Sequence, residues 1–276
     1  MDRPVISFLT DFGPESAPAI CRGVMLSIAR DAQIIDISHG VRKFAIGDGA
    51  YLLWSAVPWL PVGVHVTVVD PGVGTTRLPI GLRVARGDIL IGPDNGVLMP
   101  AAAALGGITE ARILDNQAMM LPRTTSTFHG RDVFAPMAGH LATGRAFEEV
   151  GPSIAPANLV ALEFPAPVEV DGGLDTTVLF VDSFGNVRLA GERADLEAAI
   201  GPLTPGRALS VEFAPHEGRP AIAQVMPWAR TFGERPPGAP LVYENSFGQL
   251  AIADNQGDAA ARLDITAGRS VRVRPT

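Results

Sequence analysis

The feature that most constrains the fold is a change of rhythm along the chain. In the first half, Val5–Leu9, Gln33–Ile37, Val66–Val69, Asp88–Ile91 and Ala111–Leu114 have the apolar, largely β-branched character of buried strands. Between and after them, Ala19–Ala29, Ile46–Val57, Ala101–Leu105 and Val133–Ala142 carry apolar residues at the spacing of a helix face, and Pro58 and Pro61 stop the second. Strands alternating with helices predict an α/β domain, a mostly parallel sheet with helices on both faces. The rhythm breaks in Gly151–Pro167, which holds four prolines. Beyond it Asp175–Val181, Ala208–Phe213, Pro240–Tyr243, Gln249–Ala253 and Ser270–Val273 alternate with Gly- and Pro-rich turns. That pattern predicts a small all-β, barrel-like C-terminal domain with at most one helix, at Ala194–Ile200. The expected division is therefore 1–155, a linker over 156–168, and 169–276.

Several classes of function are excluded at this level. Hydrophobic residues make up 47% of the 276 and charged residues 18%, so the chain is globular and long enough for two domains. The net charge is -7 with no Lys/Arg-rich run, which argues against nucleic acid, since phosphate contacts demand clustered positive charge. The single cysteine, Cys21, rules out an internal disulfide and reads as a small core residue. No segment has the roughly 18 uninterrupted apolar residues of a membrane span, and MDRPVISFLTDFG lacks the basic start and long apolar run expected of a signal peptide. A cytoplasmic protein without membrane partners is expected.

Val66–Arg77, VTVVDPGVGTTR, is the stretch with the character of a site. Its β-branched run breaks at Asp70-Pro71 into a glycine-rich loop, placing Asp70 at a strand's carboxyl end, where open α/β sheets take their ligands. Two readings fit Asp70 on spacing alone: a turn cap paired with Arg77, or an active-site acid. Of the five histidines, His65 and His140 read as structural, whereas His129 sits beside Gly130 in the loop TFHGRD. An Asp, an Arg and a His at one sheet edge could activate water. No P-loop, dinucleotide fingerprint, Gly-x-Ser-x-Gly or zinc motif is present.

Taken together, VVDPGVGTTR, GPDNG and TFHGRDVFAP resemble the S-adenosylmethionine hydroxide adenosyltransferases, relatives of the fluorinating and chlorinating enzymes that use the same substrate. The resemblance runs from Thr10-Asp11-Phe12-Gly13 through Ile37-Ser38-His39 to Asp182-Ser183-Phe184-Gly185-Asn186 and Asn245-Ser246-Phe247-Gly248. It implies hydrolysis of S-adenosyl-L-methionine to adenosine and L-methionine, with no cofactor or metal, by a homotrimer whose sites lie between subunits. It places the water-activating triad on Asp70, Arg77 and His129. Asp11 is then expected to bind the ribose hydroxyls, with Phe44 and Phe128 as apolar walls. Asp182 would meet the amino group, and Asn186, Tyr243, Ser246, Asp254, Asn255 and Gln256 would hold the adenine and methionine ends. A nucleoside-binding protein with little turnover and a halide-using transferase are the alternatives.

The chain departs from the family pattern in three places. Pro14–Ala19 replaces the usual acidic and tyrosine pair. LAIADN, Leu250–Asn255, stands where LEIAVN is common, so a carboxylate is lost at Ala251 and one gained at Asp254, which is expected to replace it in part. After Asn186 the chain reads Val187-Arg188-Leu189-Ala190 instead of the usual Thr-Asn continuation.

Overall fold

The computed structural model describes residues 3–122 and 125–276. The chain forms two compact units, Met1–Glu163 and Phe164–Thr276. The first unit is larger than the predicted domain because part of the proline-rich stretch packs on it. Ile113 N–H donates to Pro152 O at 2.9 Å, and Val160 N–H to Asp94 Oδ1 at 2.9 Å.

The first unit contains β1 (Val5–Thr10), α1 (Ala17–Ile28), β2 (Gln33–Ser38), α2 (Ile46–Ala56), β3 (Val64–Val68), β4 (Pro79–Val84), β5 (Ile89–Pro93), α3 (Met99–Ala104), β6 (Ile108–Ile113) and α4 (Ala135–Ala142). Its six-stranded sheet has the order β2-β1-β3-β5-β4-β6, with the first four parallel and β4 antiparallel to both neighbours. All six residues of β1 are buried, so both its faces are covered. Ile6 and Phe8 of β1 and Val64, Val66 and Val68 of β3 point into a core shared with Cys21 and Met25 of α1 and Met137 and Ala138 of α4. Burying each of these larger side chains contributes on the order of 1.5–3 kcal/mol. Burial pushes the Cys21 thiol up to about 12, consistent with a core cysteine. β4 leaves no clear strand signal in the sequence, because Pro79 and Gly81 interrupt its apolar run.

On the opposite face of β1 and β3 lies a buried polar chain. Ser7 Oγ is 2.7 Å from His65 Nδ1, and His65 Nε2 is 2.9 Å from Asp88 Oδ1, with all three residues wholly inaccessible. Asp88 also accepts from Arg86 Nε at 2.7 Å, from Arg86 Nη2 at 2.9 Å and from the Gly63 N–H at 3.1 Å. Ser, His and Asp in this order are the residue types of a hydrolytic triad, yet no substrate can reach them. Their role is to tie β1, β3 and the entry to β5 together.

The second unit holds β7 (Val168–Val170), β8 (Gly173–Val181), β9 (Val187–Glu192), α5 (Arg193–Ile200), β10 (Ala208–Phe213), β11 (Ile222–Pro227), β12 (Pro240–Glu244), β13 (Gln249–Asp254), α6 (Ala259–Leu263) and β14 (Ser270–Pro275). Strand order is β11-β10-β14-β8-β9-β13-β12, with β7 added on β8. A bridge between Trp228 and Val242 joins the ends of this row, so the antiparallel sheet nearly closes on itself. The nine-residue β8 pairs with β14 through Leu174–Thr177 and with β9 through Val178–Val181. Leu209, Val211, Phe213, Leu250, Ile252, Val271 and Val273 fill the interior. The expectation of at most one helix is corrected by α6, a single short turn too brief to leave a periodic signal. No helix among the described residues is long and apolar enough to cross a membrane.

Candidate active site

In the first unit, β2 and β3 lie on either side of β1, so the chain reverses direction across the sheet beside β1. Ligands in open α/β folds collect at such a switch point, outside the strands' carboxyl ends. Asp11 follows β1 there, and Asp70 stands just past the end of β3. Both line a cleft of about 350 Å³ with Phe12, Lys43, Phe44, Phe128 and His129.

Arg77 is not among the residues that line this cleft but joins two that are, Asp70 and His129. Its Nε donates to Asp70 Oδ1 and Oδ2, each at 3.0 Å, its Nη2 also donates to Asp70 Oδ2, and Nη2 is 2.9 Å from His129 Nδ1. Only 9% of the Arg77 side chain and 5% of the Asp70 side chain are exposed. A guanidinium can only donate, so His129 Nδ1 accepts and the ring carries its proton on Nε2. Burial and the adjacent Arg77 charge hold His129 below the ordinary imidazole value, against an opposing pull from Asp70 and Asp132. Asp70 is thus both a carboxylate paired with Arg77 and a wall of the cleft, a position compatible with either reading that spacing leaves open.

Two local features bring the loops together. Gly74 has φ +77°, and a Cβ there would lie 2.5 Å from Ser126 O, so only glycine lets the Asp70 loop touch the segment leading to His129. The GPDNG motif braces that loop from behind: Asn95 Nδ2 donates to Val69 O at 2.9 Å, and Asp94 N–H to Leu78 O at 2.9 Å. His129 itself caps a π-helical turn, Gly130–Phe134, that runs into α4. Asp132 within this turn accepts from Thr125 N–H at 2.8 Å and Thr125 Oγ1 at 2.7 Å, fixing the loop.

At the other end of the cleft, Asp11 Oδ2 accepts the Phe44 N–H at 3.0 Å. Phe44 has φ +67° and is 68% exposed, a strained backbone holding an apolar ring toward solvent. Phe128 packs edge-on against Phe12 with ring centres 5.7 Å apart. Phe12 and Lys43 were not picked out from the sequence, because neither belongs to a pattern that separates cleft from core.

The second unit has its own cleft, of about 700 Å³, lined by all seven C-terminal candidates: Asp182, Asn186, Tyr243, Ser246, Asp254, Asn255 and Gln256. Asp182 is heavily engaged. Its Oδ1 accepts from Phe184 N–H and Asn186 N–H and its Oδ2 from Asn186 Nδ2 and Arg188 Nη2, all at 3.0 Å. Asp254 is held by Arg262 through Nε at 2.6 Å and Nη2 at 2.7 Å, so its charge is already balanced within the chain. Asn255 Nδ2 donates to Arg235 O at 2.7 Å, and Gln256 has φ +54°. Phe232, whose ring centre is 4.9 Å from that of Tyr243, and Arg188 also line the cleft. Phe232 lies in a Gly- and Pro-rich turn that reads only as a loop. Arg188 was visible as an unusual residue, without a role.

An α/β unit with a charged, water-accessible cleft at its switch point, followed by a β-barrel unit with an aromatic and amide-lined cleft, defines a two-domain enzyme architecture for a polar small molecule. The chain matches the SAM hydroxide adenosyltransferase N-terminal domain over residues 6–151 and the corresponding C-terminal domain over residues 176–272. It is 44% identical over 271 residues to an (R)-S-adenosyl-L-methionine hydrolase of Salinispora arenicola, covering 98% of this chain and 97% of that one. It is 30% identical over 299 residues to a fluorinase of Actinopolyspora mzabensis, covering 98% and 97%. A solved uncharacterized conserved protein from Thermotoga maritima superposes with a TM-score of 0.88 at 32% identity, over 98% of this chain and 99% of that one. The chain belongs to the SAM hydroxide adenosyltransferase family.

Proposed function

We propose that the protein hydrolyses S-adenosyl-L-methionine to adenosine and L-methionine by in-line attack of water at ribose C5′. The observation that carries this reading is the Asp70–Arg77–His129 assembly at the cleft that also holds Asp11. Full-length relatives named as (R)-S-adenosyl-L-methionine hydrolases support it.

The chemistry asks little of the protein in proton donation. As the water oxygen bonds to C5′, the C5′–S bond breaks, and its electron pair stays on sulfur, turning a sulfonium into a neutral thioether. The water's proton is released, through Asp70 or to solvent. What accelerates such a step is a fixed nucleophile in a preorganised polar site. Asp70 accepts from the water, Arg77 holds Asp70 rigid, and neutral His129 lines the same side. Asp11 takes the ribose hydroxyls between Phe44 and Phe128. The C-terminal cleft takes the rest through Asp182, Asn186, Tyr243, Ser246 and the 254–256 loop, acting in a cytoplasmic homotrimer where one subunit's N-terminal cleft meets the next subunit's C-terminal cleft. No cofactor or metal takes part.

Chromatography of reactions with and without chloride tests the assignment. Adenosine and L-methionine in equal amounts are expected in both. A 5′-halogenated nucleoside, or bound adenosine with unconsumed substrate, would replace it with halide transfer or nucleoside binding. Asp70→Ala should slow turnover by about 10²-fold or more. A rate close to wild type would remove Asp70 from the mechanism.

A further inference from the structure

Arg188 is the most conspicuous group in the C-terminal cleft that the reading above leaves idle. It lies on β9, and in the strand ladders it stands opposite Ala251 of β13, which in turn stands opposite Tyr243 of β12. These three residues therefore share one face of the sheet. Ala251 has almost no side chain, which leaves room for the guanidinium where the family pattern has a glutamate. The exchange replaces a negative group with a positive one.

The side chain is only 14% exposed, and its guanidinium carbon sits 5.3 Å from the centre of the Phe247 ring. Nη2 donates to Asp182 Oδ2 at 3.0 Å, but Nε and Nη1 are buried without a hydrogen-bond partner among the described residues. An arginine has five N–H donors and cannot discard its proton, so buried idle nitrogens are costly unless an acceptor fills them on binding. Asp182 is the already satisfied side of the pair, each of its oxygens accepting two hydrogen bonds, so what it offers a bound cation is its negative charge and not a further hydrogen bond. The pair's unused capacity is for an anion.

We propose that Arg188 binds the α-carboxylate of the substrate's amino-acid end, forming with Asp182 a clamp for the zwitterion. This rests on the reading of the substrate as S-adenosyl-L-methionine. That molecule carries one anionic group, the carboxylate, beside its ammonium. An Arg–Asp pair in contact presents the complementary charges at a similar separation. Arg188 is then a specificity-determining residue, which a substrate lacking the carboxylate does not engage.

The test compares S-adenosyl-L-methionine with its decarboxylated analogue, using kcat/KM for each and adenosine as a competitive inhibitor. Wild type should favour the carboxylated substrate by about ten- to a hundredfold, the worth of a charge-assisted hydrogen bond. Arg188→Met should lose most of that preference, chiefly through KM, with adenosine inhibition unchanged. Adenosine inhibition weakened in step would mean that Arg188 contacts the purine and would overturn the proposal. So would a wild type indifferent to the carboxylate, an arm that needs no variant and is immune to misfolding. Should wild type turn over neither compound, the hydrolase reading fails on its own. Equilibrium dialysis of the two compounds then still decides whether the carboxylate is read.

Discussion

Replacing Arg77 with methionine removes the cation that holds Asp70 and contacts His129, while preserving much of the side-chain volume over Phe134. Asp70 would be left with its side chain 5% exposed and no counter-charge. Breaking a buried pair from one side costs about 3–5 kcal/mol, because the remaining charge is neither hydrated nor paired. For a unit of this size, that corresponds to a fall in melting temperature on the order of 10 °C. The double variant Asp70→Asn/Arg77→Met should recover much of the loss, since a neutral amide needs no partner cation. Thermal and urea unfolding at neutral pH read both effects. The same variant should change His129: the Arg77 charge helps hold its imidazole below the ordinary value, whereas Asp70 and Asp132 pull it up. Removing Arg77 therefore moves the His129 titration upward, as followed by imidazole NMR with a His129→Gln spectrum for assignment. A single variant as stable as wild type, a double variant no better than the single, or a stationary His129 titration would each refute the hub role of Arg77.

Two further outcomes follow from the structure. Hydrogen bonds from His65 and Arg86 hold Asp88 well below the usual carboxylate range despite a burial effect that by itself pushes it up, so its stabilisation is complete above about pH 4 and lost as pH falls further. Asp88→Asn should lower stability by about 3 kcal/mol at neutral pH and flatten the acid limb of the stability curve, and parallel wild-type and variant curves would show that Asp88 does not carry this linkage. Light scattering should give three times the 29.0 kDa chain mass, and a monomeric mass with full activity would dismiss the shared-site trimer.

Much of the architecture was legible because it is written in local periodicity. The strands at Val5, Gln33 and Ala208, the helix before Pro58 and the break at the proline-rich stretch each depend on neighbours a few residues apart. The unrecognised β4 and α6 have the same explanation in reverse: Pro79 and Gly81 interrupt one, and the other is a single short turn. Motif strings likewise named many of the residues that line the two clefts, though not Phe12, Lys43, Phe232 or Arg188, and they named Arg77, which stands behind Asp70 and His129. Spacing was silent on what each does, as Asp254 illustrates: it does line the cleft, yet each of its oxygens accepts a hydrogen bond from Arg262.

By itself, then, the sequence determined the two domain classes and, through its motifs, the family and the inventory of polar groups. Tertiary structure alone decided which groups meet. It set the junction of Arg77 with both Asp70 and His129, the close pass of Gly74 by Ser126, the inaccessibility of Ser7, His65 and Asp88, and the placing of Arg188 opposite Ala251. The physical reason is that periodicity and turn chemistry act over a few residues. A hydrogen bond, a charge pairing or the burial of a nitrogen depends on groups that only the folded chain brings within about 3 Å of one another.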